Sequence, residues 1–419
     1  MTTFSELGLN DSLLKAITAE GYTTPTPIQT QAIPFLLQGR DVLGIAQTGT
    51  GKTAAFALPI LQRLSEKKRR ALPKGARALI LTPTRELALQ IDEGFKAYGR
   101  HFGMKRTVIF GGVGQRPQVN AMRNGTDILV ATPGRLLDLM NQNHVDLRSV
   151  EILVLDEADR MLDMGFIRDV KTITSKVPAE RQTLLFSATM PGSIISLAKD
   201  LLKDFERVEI TPQSTTVERI AQRVMHVAQH DKRQLLADLL NDGAITRAIV
   251  FTRTKHGANR LSEQLQKGGV AADAIHGNKS QTARQKSLAA FKTGKVRVLV
   301  ATDIAARGID VDNISHVINY ELPLEPESYV HRIGRTARAG TEGIALSFCD
   351  SSERGQLRAI ERAIRQSIPV DVAHAYHAQF SVNQGDAQRP TGRPQRKRSG
   401  KPHHHRRKRP NNAKKQRAA

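Results

Sequence analysis

The sequence predicts an α/β chain of two tandem, doubly wound parallel-sheet domains followed by a basic, disordered tail. Three observations carry that prediction. Short apolar runs without polar alternation recur along the chain, as strands buried on both faces of a parallel sheet do. Helix-length stretches separate them, giving a repeated βαβ pattern. Near the C-terminus the composition shifts to Arg, Lys, Pro, Gly, Asn and Gln, which cannot bury enough apolar surface to order a chain.

In chain order, the first domain is expected over 1–210, with strands at DVLGIAQ, RALILTP, RTVIF, DILVATP, EILVLDE and QTLLFSAT. Helices are expected between them, for example at 53–66, 85–100 and 189–203. The pattern pauses at TPQSTTVE (211–218), a polar segment without strong periodicity that reads as a linker. It resumes over 219–372 with RVMHVA, RAIVFTRT, VAADAIH, VRVLVAT, HVINYE and GIALSFC, and helices such as 256–267 and 281–292. Residues 373–419 are expected to form the tail.

The bulk numbers agree with this division. A chain of 419 residues exceeds one core of ordinary size and fits two domains plus an appendage. Lys and Arg total 63 against 40 acidic residues, a net charge of +23. From Ala387 onward there are 13 Lys and Arg and no acid, so the rest of the chain carries +10. A basic body with a more basic end predicts a polyanionic partner, most plausibly nucleic acid. The lone cysteine, Cys349, rules out an intrachain disulfide and fits a reducing cytoplasm. It lies in an apolar run and reads as a small core residue. Neither a signal-peptide pattern nor a membrane-length apolar stretch is seen, so no membrane partner is expected.

The chemistry of the first domain starts at AQTGTGKT (46–53), between a strand and a helix, where a phosphate-binding loop belongs. Gln47, Thr48, Gly49, Thr50 and Gly51 supply the loop, whose glycines let backbone N–H groups face phosphate oxygens. Lys52 brings charge to the β and γ phosphates, and Thr53 offers a hydroxyl to magnesium. VLDEAD (154–159) ends a strand in an acidic cluster. Asp156 is placed to hold Mg2+, largely through water, and Glu157 to orient and deprotonate the attacking water. Upstream, GYTTPTPIQ (21–29) supplies Gln29, whose amide matches one edge of adenine, with Phe4 and Tyr22 as possible stacking faces. SAT (187–189), PTREL (83–87), TPGR (132–135) and Gly111-Gly112 also end strands, where α/β sheets bind ligands. Taken singly, each is as easily a loop as a contact.

The second domain has no phosphate loop of its own. It carries ATDIAARGID (301–310) and HRIGRTARAG (331–340), with Arg332, Arg335 and Arg338 at three-residue spacing. Such arginines are either solvated helix charge or, beside an incomplete nucleotide site, arginine fingers.

With these motifs in order, from the glutamine segment through FTRT (251–254) and QTAR (281–284), the chain resembles the DEAD-box ATP-dependent RNA helicases of superfamily 2. Within them it looks most similar to the bacterial RhlE-like subgroup. The resemblance runs from about Phe4 to about residue 370. It implies two RecA-like lobes that close over ATP and single-stranded RNA. Carried across, Gln29 reads adenine and Phe4 stacks on it. Lys52 and Thr53 serve phosphate and metal, Asp156 and Glu157 metal and water. Ser187 and Thr189 couple hydrolysis to lobe movement, with His331 joining the last motif to the acidic segment. Asp310 contacts ribose, and Arg335 and Arg338 act as fingers. Arg85, Gly112, Thr132 and Arg135 touch RNA from one side, Thr302 and Arg307 from the other. One departure is Ala337, where many members have glycine; being small, it is expected to matter little.

The reaction expected is RNA-stimulated hydrolysis of ATP to ADP and phosphate, with local unwinding of short duplexes or remodelling of RNA–protein complexes. Recognition is expected to be largely sequence-independent, since the chain has no Trp and only 4% aromatic residues. Ribosomal precursors, RNA under decay and cold-stabilised structures are all compatible substrates. The competing readings are an ATP-timed RNA clamp with little unwinding and a DNA-directed helicase. A GTPase is disfavoured because no guanine-reading Asn-Lys-x-Asp segment is present.

Overall fold

The computed structural model describes residues 2–378 apart from 48, 68, 211–219, 242, 307–310, 312 and 338–342. Among the described residues the first sheet has seven strands. They are β1 (Val42–Ile45), β2 (Ala76–Leu81), β3 (Arg106–Ile109), β4 (Thr126–Ala131), β5 (Ile152–Leu155), β6 (Gln182–Ser187) and β7 (Glu206–Glu209). The second has six: β8 (Ile220–His226), β9 (Ala248–Phe251), β10 (Ala272–Ile275), β11 (Val298–Ala301), β12 (His316–Asn319) and β13 (Gly343–Cys349). Each strand pair in both sheets is parallel. Both sheets belong to one compact unit, Met1–Gln379.

The uninterrupted apolar runs form the buried centre. Every residue of β2 and β5 is buried, with helices covering both sheet faces. β7 was not expected. Its sequence, ERVE, buries only Val208 and pairs on one side, with β1, so it lacks the apolar run of a central strand. The expected linker, 211–218, lies outside the described residues.

The first-sheet order, β3-β4-β2-β5-β6-β1-β7, sorts the motifs. β1, β6 and β5 are adjacent and end in the phosphate loop, SAT and DEAD segments. β2, β4 and β3 are adjacent and end in PTREL, TPGR and Gly-Gly. A parallel sheet puts all these ends on one rim, so two separate clusters arise from strand order alone.

The expected start of the tail at 373 needs correction. Residues 369–378 lie along the outer edge of β8: Val224 N–H donates to Pro369 O, Asp371 N–H to Val224 O and Ala378 N–H to His226 O. Tyr376 packs against the second-sheet core and donates its hydroxyl to Asp238 at 2.7 Å. An open edge strand presents unpaired backbone groups, and this segment satisfies part of that row. Residues 379–419 lie outside the described residues.

Candidate ATP site and nucleic-acid interface

β1 ends at Ile45 and the chain turns into helix Lys52–Glu66. Gly49 and Gly51 adopt φ +84° and +89°, which L side chains rarely tolerate. Lys52 is buried and donates to Ala46 O at 2.8 Å, so its ammonium lies across the loop mouth. Thr50 donates to Gln47 O at 2.8 Å, closing the turn, and Thr53 follows in the first helical turn. Gln29 secures the loop from behind. Its Oε1 accepts from Thr26 N–H and its Nε2 donates to Gly51 O at 3.1 Å. An amide has a second proton and a second lone pair, so those two bonds leave capacity to read a base edge.

The stacking expectation for Phe4 is corrected. The ring is buried in the same core cluster as Leu7, Leu9 and Leu13, where apolar burial outweighs display. Tyr22 is more open, but its hydroxyl shares a 3.0 Å hydrogen bond with Tyr98, whose ring centroid is 6.0 Å away.

β5 delivers the acidic cluster. Asp156 is buried, and burial pushes its carboxyl up to about 7 against the opposing pull of Lys52. Its Oδ1 is buried without a hydrogen-bond partner. Glu157, the residue before helix Ala158–Asp163, sits at φ +55°, ψ +52°, a costly conformation outside glycine. Arg160 donates to its Oε2 at 2.9 Å, with both side chains at most 5% exposed.

Asp159, to which the sequence alone attaches no role, ties two motifs together. Its Oδ2 accepts from Ala188 N–H, Thr189 N–H and the Thr189 hydroxyl, at 2.9–3.1 Å. Its own N–H donates to Ser187 Oγ, and Ser187 donates to Thr189 O at 2.7 Å. The available signal was two strand-end hydroxyl residues that need an acceptor close by.

On the neighbouring strand ends, Arg85 begins helix Arg85–Tyr98 and its guanidinium lies against Gly112, which has φ +77°. A Cβ at Gly112 would collide with that guanidinium. Burial lowers the Arg85 pKa, with Arg284 and Arg135 contributing repulsion. Arg135 donates to Val113 O at 3.2 Å, and Thr132 precedes helix Pro133–Asn141. These residues converge on one rim with polar groups and exposed turn backbone, suited to a phosphodiester strand.

In the second sheet, Thr302 leads into helix Asp303–Ala306. Arg332, which the spacing groups with the finger arginines, points inward instead. It is 1% exposed, bonds Asp303 through Nε and a terminal nitrogen at 2.5 and 2.8 Å, and lies 5.0 Å from the Phe251 ring centre. Three-residue spacing on a helix cannot tell an inward arginine from an outward one. Arg335 lines the same small cavity as His331 and donates to His331 O at 3.2 Å. Ala337 stands at φ +55°, so the departure from glycine carries backbone strain rather than a size effect. Thr48, Arg307, Asp310 and Arg338 lie outside the described residues.

The two lobes meet beside the second cluster. Arg284 bonds Glu86 Oε1 at 2.8 Å, with their side chains only 10% and 6% exposed. Gln281 adds a bond to Glu86 at 3.4 Å and accepts from Arg85 at 3.3 Å.

The comparisons with known proteins agree with this geometry. Residues 26–198 match the DEAD/DEAH box helicase family and residues 231–340 the helicase conserved C-terminal domain. The DEAD-box ATP-dependent RNA helicase CshA of Bacillus cereus is 45% identical over 88% of this chain and 69% of its own length. That of Bacillus subtilis is 43% identical over 87% and 73%. These relatives do not support the expected RhlE-like subgroup. Among solved structures, S. cerevisiae Dbp5 bound to RNA and ADP BeF3 aligns with a TM-score of 0.77, 33% identity and coverage of 88% and 96%. Mss116 bound to ssRNA and UDP-BeF aligns at 0.79, 31% identity, 88% and 80%. Two parallel α/β lobes, a phosphate loop beside the DEAD segment and relatives of this similarity give one conclusion: the chain belongs to the DEAD-box ATP-dependent RNA helicases, hydrolases that use ATP to unwind RNA.

Proposed function

We propose that ATP hydrolysis by this helicase is conditional on RNA, and that unwinding is local and largely independent of sequence. The observation that carries the proposal is the buried Glu86–Arg284 contact between lobes, set beside Arg85 and Gly112 on the rim read as the RNA face. A strand bound along that rim and along Thr302 and Arg307 favours the closed pair of lobes. Closure brings Arg335 and Arg338 to the phosphates gripped at Lys52 and the Gln47–Thr53 loop. Gln29 reads adenine, and Asp310 contacts ribose. Ser187 and Thr189, held by Asp159, and His331 relay the change between the lobes. A bent single strand fits the joint surface where an A-form duplex does not, and phosphate loss lets the lobes part.

Mg2+ fits the residues present. Asp156 Oδ1 is a buried carboxylate oxygen without a hydrogen-bond partner, and Thr53 offers a hydroxyl in the first turn after the loop. One carboxylate plus phosphates and water is an ordinary Mg2+ environment. When bound, the ion supplies charge neutralisation at the phosphates. Glu157 orients the attacking water and takes its proton, and the arginine fingers stabilise charge developing on the transferred group.

The protein acts in the cytoplasm on ribosomal precursors or RNA entering decay, and its basic tail adds salt-sensitive affinity. The test is reciprocal coupling: a non-hydrolysable ATP analogue raises affinity for a single-stranded RNA, and RNA raises analogue affinity by the same factor. Unchanged RNA affinity with saturating analogue refutes the mechanism. Crosslinking with Glu157→Gln, expected to hold the closed state, identifies the RNA; recovery of neither precursor nor decaying RNA refutes the assignment of substrates.

A further inference from the structure

We infer that Arg160 is a positioning residue for hydrolysis, holding the Glu157 carboxylate in the orientation that activates water. The inference rests on the ATPase reading above and extends it to a side chain outside the recognised catalytic set. Arg160 lies in the helix Ala158–Asp163 and donates to Glu157 Oε2 at 2.9 Å across an i, i+3 spacing. On an open helix such a pair contributes little. Here the Arg160 side chain is 5% exposed and that of Glu157 4%. A buried ion pair bears a desolvation cost that an apolar pair of similar volume avoids, so stability alone is a weak reason for this one.

Orientation is a better reason. Glu157 has a left-handed backbone, φ +55°, so its side chain leaves the chain in a direction that relaxed β or α backbone would not give. A glutamate also retains free torsions beyond Cα. A planar guanidinium gripping one carboxylate oxygen fixes those torsions and directs the carboxylate plane. General-base catalysis is sensitive to such placement, because a misplacement of about 1 Å costs on the order of a hundredfold.

The experiment compares Arg160→Gln and Arg160→Lys with the wild-type full chain in steady-state ATPase assays at saturating single-stranded RNA, alongside thermal melts. Arg160→Gln leaves a shorter, uncharged polar side chain and is expected to lower kcat roughly tenfold. KM for ATP and the RNA concentration for half-stimulation stay unchanged. Arg160→Lys restores a cation and recovers part of kcat. The inference is overturned if Arg160→Gln turns over like wild type. It is equally overturned if kcat and melting temperature fall while KM rises and lysine restores none of them, the pattern of a merely structural arginine. RNA stimulation of the wild type, read in the same assay, tests the ATPase reading separately from the variant-to-wild-type kcat ratio.

Discussion

Breaking the contact between the lobes should weaken coupling without touching either ligand site. Arg284 bonds Glu86 from the opposite lobe at 2.8 Å, with side-chain exposures of 10% and 6%. Arg284→Ala leaves Glu86 buried with only the 3.4 Å bond from Gln281 to compensate. Removing one partner of a buried pair costs about 3–5 kcal/mol, and the retained bond moves the expectation to about 3. That cost falls on the closed arrangement alone, because parted lobes return Glu86 to water. At ~1.4 kcal/mol per decade, closure becomes roughly a hundredfold less favourable. RNA-stimulated ATPase should therefore require far more RNA for half-maximal rate, with nucleotide binding to the first lobe unchanged. Glu86→Gln should act in the same direction by leaving Arg284 underpaired. Combined with Arg284→Gln, it should be milder than the sum of the singles, since neutral amides leave no buried charge. Additive effects, or single variants with wild-type RNA dependence, would refute the idea that this pair is made on closure.

Other outcomes follow from local geometry. Gly112→Ala places a Cβ against the Arg85 guanidinium at φ +77° and should weaken RNA binding severalfold while sparing ATP binding, read by fluorescence titration of each ligand. Ala337→Gly relieves the left-handed strain at φ +55° and should raise the stability of the protein by ~0.5–1 kcal/mol in denaturant melts. Cys349 is buried and its thiol is pushed up to about 12, chiefly by burial, so alkylating reagents at neutral pH should label it only after denaturation. His226 and His374 are held below the ordinary histidine range by burial, reinforced by neighbouring His377. A depressed folded pKa gives stability that is present at neutral pH and lost as pH falls from about 6.5 through the folded value. The melting temperature should therefore drop between about pH 7.5 and 5.5, and less steeply in His374→Ala.

What was legible in the sequence was what the chain settles locally. A strand buried on both faces announces itself as an apolar run, and a phosphate loop must carry glycines where φ is positive, as Gly49 and Gly51 do. What was not legible depends on partners far away in the chain. Arg332 and Arg335 look alike in HRIGR, but Asp303, 29 residues upstream, takes one of them into the core. Phe4 looks like a free aromatic until the first-lobe core closes over it. ERVE hides a strand because pairing beside β1, not apolarity, selects it. Residues 373–378 lack the strand and helix periodicity of the second domain, and only the open edge of β8 explains why they are ordered.

The same contrast separates the two halves of the mechanism. In the mechanism we propose, the groups that grip phosphate are set by motif chemistry, whereas those that make hydrolysis conditional are set by tertiary pairing. Asp159 carries three donors from the SAT turn on one carboxylate oxygen, so a shift of either segment must drag the other. Glu86 does the equivalent between lobes, one residue from Arg85, which we propose faces RNA. Each link joins a residue inside a recognised motif to a partner in another element. Altering Glu86 or Arg284 should change how strongly ATP and RNA sense each other before it changes how tightly either binds alone, because parted lobes lack that bond already.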